Sequence, residues 1–197
     1  MRYGTVGAAF ICLLTLCSCS PAGPVPGAVA TPTIGSAAGD PKSIPLILAV
    51  DQGERLTRRT LGGAPLIIKV DRKTAGAPHF VMAYEALPPG TAIPPHRHPG
   101  ADEIIFVHSG TGVAELGDKS SEVAAGSTIY IPRLTRITLR NTGKEPLVIV
   151  ALFDQPGFED LLRETSVPEG QPVVPLTSAE LSAIRARHLT HVIYDRP

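Results

Sequence analysis

The stretch from Gly90 to Gly110, GTAIPPHRHPGADEIIFVHSG, constrains the fold and chemistry of this chain more than any other part. His96 and His98 lie two residues apart, and residues i and i+2 of a β-strand project from the same face. The turn at residues 99–102 can then reverse the chain and bring Glu103 beside the two imidazoles. Two neutral imidazoles and a carboxylate on one inward face suit a divalent transition metal.

The same stretch resembles the first conserved motif of the cupin superfamily, which reads Gly, five residues, His-x-His, four residues, Glu, six residues, Gly. Every one of these positions is filled between Gly90 and Gly110. The second cupin motif reads Gly, five residues, Pro-x-Gly, two residues, His, three residues, Asn. Its outer Gly, its Pro and its Asn are present as Gly126, Pro132 and Asn141. Leu134 stands where the motif has Gly, and Ile137 stands where it has the metal-binding His.

The resemblance implies an all-β fold, a small cupin-type antiparallel β-barrel or jelly roll over residues 44–153, with a metal and a small ligand inside. The spacing of apolar runs and turn residues independently predicts a small antiparallel sandwich or barrel. The predicted strands cover residues 44–50, 65–70, 79–87, 103–108, 111–116, 127–131, 135–140 and 146–153. The Arg55, Arg58 and Arg59 cluster falls between the first two strands and is interpreted as a solvated loop.

Residues 154–197 are predicted to form an extension with short C-terminal helices. Residues 158–163 carry apolar side chains at helical spacing. Thr177 and Glu180 form a capping-box pattern that predicts a helix from there to about residue 190, packed on the outside of the barrel. His188 and His191 are expected on its exposed face.

The first 19 residues are typical of an export signal peptide. A short positive start precedes the apolar segment Val6–Leu16, which is too short to span a bilayer stably. Leu16-Cys17-Ser18-Cys19 resembles a bacterial lipobox, which would make Cys19 the lipidated first residue of a periplasmic or outer-membrane lipoprotein. The alternative is a secreted protein that is cut slightly later. Residues 20–43, rich in Pro, Gly and Ala, predict a disordered tether.

The amino-acid composition limits the kinds of partner and the kinds of reaction that are expected of this chain. Eighteen basic and 18 acidic side chains give zero net charge, so neither nucleic acid nor an anionic membrane surface is favoured, and membrane contact would come only through the lipid anchor. All three cysteines, at positions 12, 17 and 19, lie in the leader, which excludes thiol catalysis in the folded part. Pairing through sheets, which is common among cupins, makes a homodimer an expectation of the resemblance.

Two functions remain open at this point. One is a metal-dependent oxygenase, isomerase or lyase that acts on a small molecule, with Fe, Mn, Ni or Zn held by His96, His98 and Glu103. The other is a non-catalytic envelope module that binds a small ligand or a metal at a degenerate site, because Ile137 supplies no donor. The candidate substrate-pocket residues are Tyr84, Tyr130, Thr135 and Ile137. No catalytic residue is assigned.

Overall fold

The structure, a computed structural model of the 197-residue chain, describes residues 43–76 and 79–195. The predicted signal peptide, the lipidation site at Cys19 and the tether up to residue 42 lie outside the described residues. Across the two described ranges, no helix is both long and apolar enough to cross a membrane.

The described residues form short β-strands and three short helices. The first six strands are β1 (Glu54–Arg58), β2 (Pro65–Val70), β3 (Val81–Leu87), β4 (Ala92–Arg97), β5 (Glu103–Ser109) and β6 (Thr111–Leu116). Those that follow are β7 (Lys119–Ala124), β8 (Thr128–Ile131), β9 (Ile137–Asn141), β10 (Leu147–Phe153), β11 (Ser166–Pro168) and β12 (Ile193–Tyr194). The helices are α1 (Arg72–Ala75), α2 (Phe158–Glu164) and α3 (Ser178–Arg187).

The strands build two antiparallel sheets, which confirms the predicted all-β jelly roll. The first sheet has the order β11-β1-β2-β3-β10-β5-β8, and the second has the order β12-β4-β9-β6-β7. Along β3 and β5, alternate residues are buried, as expected for strands with one face toward a core. Burial of their apolar side chains, at about 25 cal/mol per Å², is the main force that holds the sheets together.

The largest apolar cluster fills the space between the sheets. The first sheet contributes side chains such as Ile105, Ile131 and Ile149, and the second contributes Ile137 and Leu139. Each cupin-like motif contributes one strand to each sheet, β4 and β5 from the first motif and β9 and β8 from the second, so both motifs border the same interior. The site described below lies at one end of this space.

The first predicted strand, over residues 44–50, is wrong. This segment has no strand partner, and Ile47 is 97% exposed. Pro45 removes one backbone donor, and the Lys69 ammonium instead binds the segment through the carbonyl oxygens of Ala49 and Val50, at 2.8 and 2.6 Å. The strand begins later, at β1, which the sequence interpretation had treated as a solvated loop.

The C-terminal extension joins the sheets, because β11 pairs with β1 and β12 pairs with β4. Helix α3 ends at Arg187, and its residues Leu181 and Arg185 line the interior cavity. The prediction that this helix only packs on the outside of the barrel is therefore wrong. The expected exposure of His188 is also wrong, because its ring is buried and its Nε2 lies 2.9 Å from a carboxylate oxygen of Glu164.

Candidate metal and ligand site

A cavity of about 160 Å³ lies between the two sheets. Its wall is mostly apolar and includes Ile93, Ile105, Ile137, Leu139, Ile149, Phe153 and Phe158. The polar side chains that reach it are Arg58, Thr60, Glu85, His96, Glu103, Thr165, Arg185 and Tyr194. An apolar pocket with a few convergent polar groups is the usual form of a small-molecule site.

The structure brings His96, His98 and Glu103 together at this cavity. His96 lies on β4 of the second sheet, His98 follows that strand, and Glu103 begins β5 of the first sheet. All three side chains are buried, and one ligand atom of each lies within 4.8 Å of the others. The His98 Nε2 and a Glu103 carboxylate oxygen are 3.5 Å apart. The turn at residues 99–102 thus carries the chain from one sheet to the other, which is how the three residues converge.

Backbone carbonyls fix which nitrogen of each imidazole faces the centre. The Nδ1 of His96 lies 2.8 Å from the carbonyl oxygen of Pro94, and the Nδ1 of His98 lies 2.8 Å from that of His191. A carbonyl can only accept, so each Nδ1 carries the proton and donates it. The Nε2 atoms are left with free lone pairs, which is the tautomer that metal-binding histidines adopt.

Two buried polar atoms at the centre lack a hydrogen-bond partner. They are the Nε2 of His98 and the Oε2 of Glu103. Leaving such atoms unsatisfied in an apolar interior costs free energy, so native proteins rarely do it without a reason. A cation between the two atoms would satisfy both, and the donor set of two nitrogens and one oxygen suits a transition metal. The residues present therefore fit the group that the cupin resemblance implies.

Burial sets the protonation states of the three side chains. It lowers the pKa of His96 to about 4 and, helped by the neighbouring His96, that of His98 to about 3. Burial, with the Glu85 carboxylate nearby, raises the pKa of Glu103 to about 8. At neutral pH the metal-free site thus holds two neutral imidazoles, ready to coordinate, and a carboxyl group that must lose its proton to do so.

The fourth wall of the centre is apolar, as the sequence predicts. Ile137 pairs directly with His96 across β9 and β4, is fully buried and lines the cavity. Leu134, which replaces the motif's Gly, still adopts that residue's left-handed backbone conformation, with φ of 62°. Its N–H donates to the carbonyl oxygen of His98 at 2.9 Å, so the turn contacts the site despite the substitution.

Two of the proposed pocket residues do not reach the cavity. Tyr84 alternates with the inward-facing Ala83 and Glu85, so its ring lies on the outer face, 5.9 Å from that of His108. Tyr130 is 56% exposed, and its hydroxyl donates to Asp102 at 3.1 Å. Their assignment to the pocket is therefore wrong, because both lie on the face of the strand opposite the core.

Of the other two predicted pocket residues, one lines the cavity and the other does not. Thr135 is half-buried in the turn before β9 and is not among the cavity-lining residues, so its assignment is also wrong, whereas Ile137 does line the cavity. His108, five residues after Glu103 on β5, is exposed on the outer face, because an odd spacing puts two strand residues on opposite faces.

Sequence reasoning missed six polar residues of the cavity or gave them no role in it. The sequence predicts Arg58 in a solvated loop, and no short motif indicates a role for Arg185 or Tyr194. A local signal existed for the first, because Leu56 and Arg58 occupy alternate positions and so share a strand face. No local signal existed for Tyr194, whose position depends on the pairing of β12 with β4.

Comparisons with known proteins agree with this fold. A cupin domain family matches residues 83–153. An uncharacterized protein of Methanocaldococcus jannaschii is 35% identical over 69 residues, which is 35% of this chain and 55% of that protein. Protein SchB of Streptomyces halstedii is 34% identical over 70 residues, covering 36% of this chain and 51% of that protein. The chain thus spans about half the length of these relatives.

Among solved structures, a predicted oxalate decarboxylase from Thermotoga maritima superposes with a TM-score of 0.50 and 19% identity. The match covers 56% of this chain and 100% of that one, and at this identity it shows the fold alone. Residues 83–153 thus match a cupin domain, in agreement with the two-sheet jelly roll and with the first motif at the cavity.

Proposed function

We propose that this cupin domain binds a divalent transition metal through His96, His98 and Glu103 and acts on a small molecule in the adjoining cavity. The reaction classes that fit are those of a metal-dependent oxygenase, isomerase or lyase. The observation that carries the proposal is the convergence of one ligand atom from each of the two imidazoles and the carboxylate within 4.8 Å, with His98 Nε2 and Glu103 Oε2 buried and without a hydrogen-bond partner.

The three ligands leave room for a substrate beside them. A metal held there would supply Lewis acidity or oxygen activation, and the donor set fits Fe, Mn, Ni or Zn. His96 and Glu103 line the cavity, whereas His98 lies behind them, packed against the rings of Phe153 and Phe158 at 5.1 and 4.6 Å. The chain's own contribution is then to orient the ligands, keep water out with apolar walls and hold the substrate next to the open side of the centre.

A second candidate function is a binding module that captures a small ligand or a metal without turnover. Ile137 is the observation that favours it, because a buried isoleucine replaces a donor directly opposite His96. With three ligands instead of four, metal affinity is reduced, and an apolar wall favours an organic ligand. The two candidates differ in metal content and in turnover.

Metal content tests the proposal. The purified chain, loaded with Zn²⁺, Mn²⁺ or Fe²⁺ in turn and passed through a desalting column, is expected to retain about one equivalent of one of them. Ile137→His should retain the metal through at least tenfold higher chelator concentrations, because it restores a nitrogen donor on the fourth wall. Ile137→Val, which keeps that wall apolar, is the matched control and should behave as the wild type.

Absence of retained metal in the wild type under all three conditions would refute the metal site. A retained metal without oxygen consumption, isomerisation or cleavage of any member of a panel of small phenols and hydroxy acids would favour the binding module. If Ile137→His gains nothing over Ile137→Val, the position of Ile137 relative to the centre is not the one assigned to it.

We also propose that the chain is exported and lipidated at Cys19. The support is the short apolar leader that ends in Leu16-Cys17-Ser18-Cys19, together with the absence of cysteine from the rest of the chain. Full-length protein expressed in a bacterial host should partition into the detergent phase on phase separation. Cys19→Ser should partition into the aqueous phase. Equal partitioning of the wild type and this variant would rule out the proposed lipid anchor.

A further inference from the structure

Two arginine residues line the same cavity, and each has a buried N–H group without a hydrogen-bond partner. Arg58, on β1, is only 6% exposed and lines the cavity wall, and its Nε lacks a hydrogen-bond partner. Arg185, on α3, also lines the cavity, and its Nε is likewise buried without a partner. A guanidinium is always protonated in proteins and can only donate, so each Nε–H lacks an acceptor. Unsatisfied buried donors in a cavity wall point to an acceptor that the ligand supplies.

The surrounding contacts hold both guanidinium groups in place without using these donors. A terminal nitrogen of Arg58 lies 3.4 Å from a carboxylate oxygen of Glu85, and the other lies 3.4 Å from the Thr60 hydroxyl. The Arg185 guanidinium carbon lies 3.8 Å above the centre of the Tyr194 ring, a cation–π contact. The Nε–H groups therefore remain available while the planes of the two side chains are fixed.

The two arginines lie next to the proposed metal centre. Tyr194, on which Arg185 stacks, pairs with His96 across β12 and β4, and the two rings are 5.6 Å apart. Arg58, Arg185, His96 and Glu103 all line the same cavity. A ligand that contacts the arginines would thus also reach the open side of the His96 and Glu103 ligands.

The charge of Arg185 faces the cavity without a counter-charge. Arg58 lies beside the Glu85 carboxylate, whereas no carboxylate within residues 43–76 and 79–195 forms an ion pair with Arg185. An anion is therefore favoured over a neutral or cationic ligand in this low-dielectric space.

We infer that the ligand of the cavity is a small organic carboxylate whose carboxylate group binds the Nε–H groups of Arg58 and Arg185. Its apolar part packs against the aliphatic and aromatic wall, and the end of the molecule nearest His96 faces the metal ligands. This assignment rests on the proposed function, because it names the substrate class of that same site. Two unpartnered donors match the two oxygens of one carboxylate, and the limited positive charge suits a monoanion better than a phosphate dianion.

Benzoate and benzamide test the inference, because they share one shape and differ in charge. In calorimetric titrations of the full chain, both with chelator and with one equivalent of Zn²⁺, benzoate is expected to bind at least tenfold more tightly than benzamide. Arg185→Gln should weaken the binding of benzoate at least tenfold and leave the binding of benzamide unchanged. Arg187→Gln, on the exposed side of the same helix, is the matched control and should bind benzoate as the wild type does.

The ion pair between Arg58 and Glu85 provides a second variant. Arg58→Gln combined with Glu85→Gln removes both charges together, so no uncompensated buried charge remains to disturb the fold. This double variant should also weaken the binding of benzoate at least tenfold. Equal binding of benzoate and benzamide to the wild type, or unchanged benzoate binding in both arginine variants, would overturn the inference. Inorganic phosphate that displaces benzoate at lower concentration than acetate does would overturn the choice of a carboxylate.

The two proposals fail in distinguishable ways. If benzoate binds the chelator-treated chain through the arginines and no metal is retained, the carboxylate site stands and the metal proposal falls. If one equivalent of metal is retained and benzoate binds no better than benzamide, the metal proposal stands and the carboxylate inference falls.

Discussion

Zn²⁺ at about 100 times its dissociation constant is expected to raise the melting temperature of the wild-type chain by roughly 5–10 °C and to leave that of His96→Ala almost unchanged. A ligand that binds only the folded state at that concentration adds about 2.7 kcal/mol to the free energy of unfolding. For a domain of this size, each kcal/mol shifts the melting temperature by about 2–4 °C.

The loss in the variant follows from the geometry of the centre. His96 supplies one of only three donors, and its neighbour across the sheet, Ile137, supplies none. Removing its Nε2 leaves one imidazole and one carboxylate, which is too few ligands to hold the metal against water. The metal-free variant is also expected to melt below the wild type, because the His96 ring packs against those of His98 and Tyr194.

The diagnostic quantity is the metal-induced shift, not the melting temperature itself, so loss of packing does not confuse the result. His108→Ala is the matched control, because that ring lies exposed on the outer face of β5, opposite Glu103. It should keep the full metal-induced shift. A shift of the same size in His96→Ala would show that the metal binds elsewhere.

The site was predictable because its residues are close in sequence. His96, His98 and Glu103 fall within eight positions, and strand alternation together with one turn is enough to bring them together. Strand alternation also accounts for the outward position of His108. The same rule should have excluded Tyr84, because it lies one residue before Glu85, and the two cannot face the same side of a strand. That error came from weighing the chemistry of the phenol above the periodicity of the strand.

The parts that sequence reasoning missed depend on contacts between distant segments. The carbonyl that orients His98 belongs to His191, 93 residues away, and the strand partner of His96 is Tyr194. Gly157 permits this arrangement, since a Cβ atom there would lie 2.1 Å from the His191 ring. No periodicity or short motif encodes such contacts, because they arise only when the C-terminal segment returns to β4. For the same reason, the sequence does not indicate that Arg58 and Arg185 line one cavity.

The metal-free chain is expected to lose about 1–2 kcal/mol of its free energy of unfolding between pH 6.5 and pH 8, and Glu103→Gln should remove that loss. Burial raises the pKa of Glu103 from 4.5 to about 8, so in this range the folded chain keeps a proton that the unfolded chain has released. Stability then falls as pH rises, by up to about 1.4 kcal/mol per pH unit, until the folded group also ionises near pH 8.

The histidines act in the opposite direction and in a different range. Burial lowers their pKa values from 6.5 to about 4 and about 3, so below pH 6.5 the unfolded chain binds protons that the folded chain does not. Their contribution to stability is lost mainly as pH falls below 6.5, and between pH 6.5 and pH 8 it rises by less than about 1 kcal/mol as the unfolded chain releases its last imidazole protons. The loss between pH 6.5 and pH 8 therefore reports the buried carboxyl groups, with a remainder from Glu85, whose pKa burial also raises.

Urea denaturation in the presence of chelator, at half-unit steps from pH 6 to pH 8.5, measures this dependence. Glu122→Gln, on the exposed face of β7, is the matched control and should retain the wild-type slope. One equivalent of Zn²⁺ should abolish the slope in the wild type, because the metal takes the place of the Glu103 proton and keeps the carboxylate ionised throughout. A metal-free wild type whose stability stays level or rises across this range would mean that Glu103 is already ionised at pH 6.5. The carboxylate would then have a partner other than a metal, and the reason for placing a cation beside it would disappear.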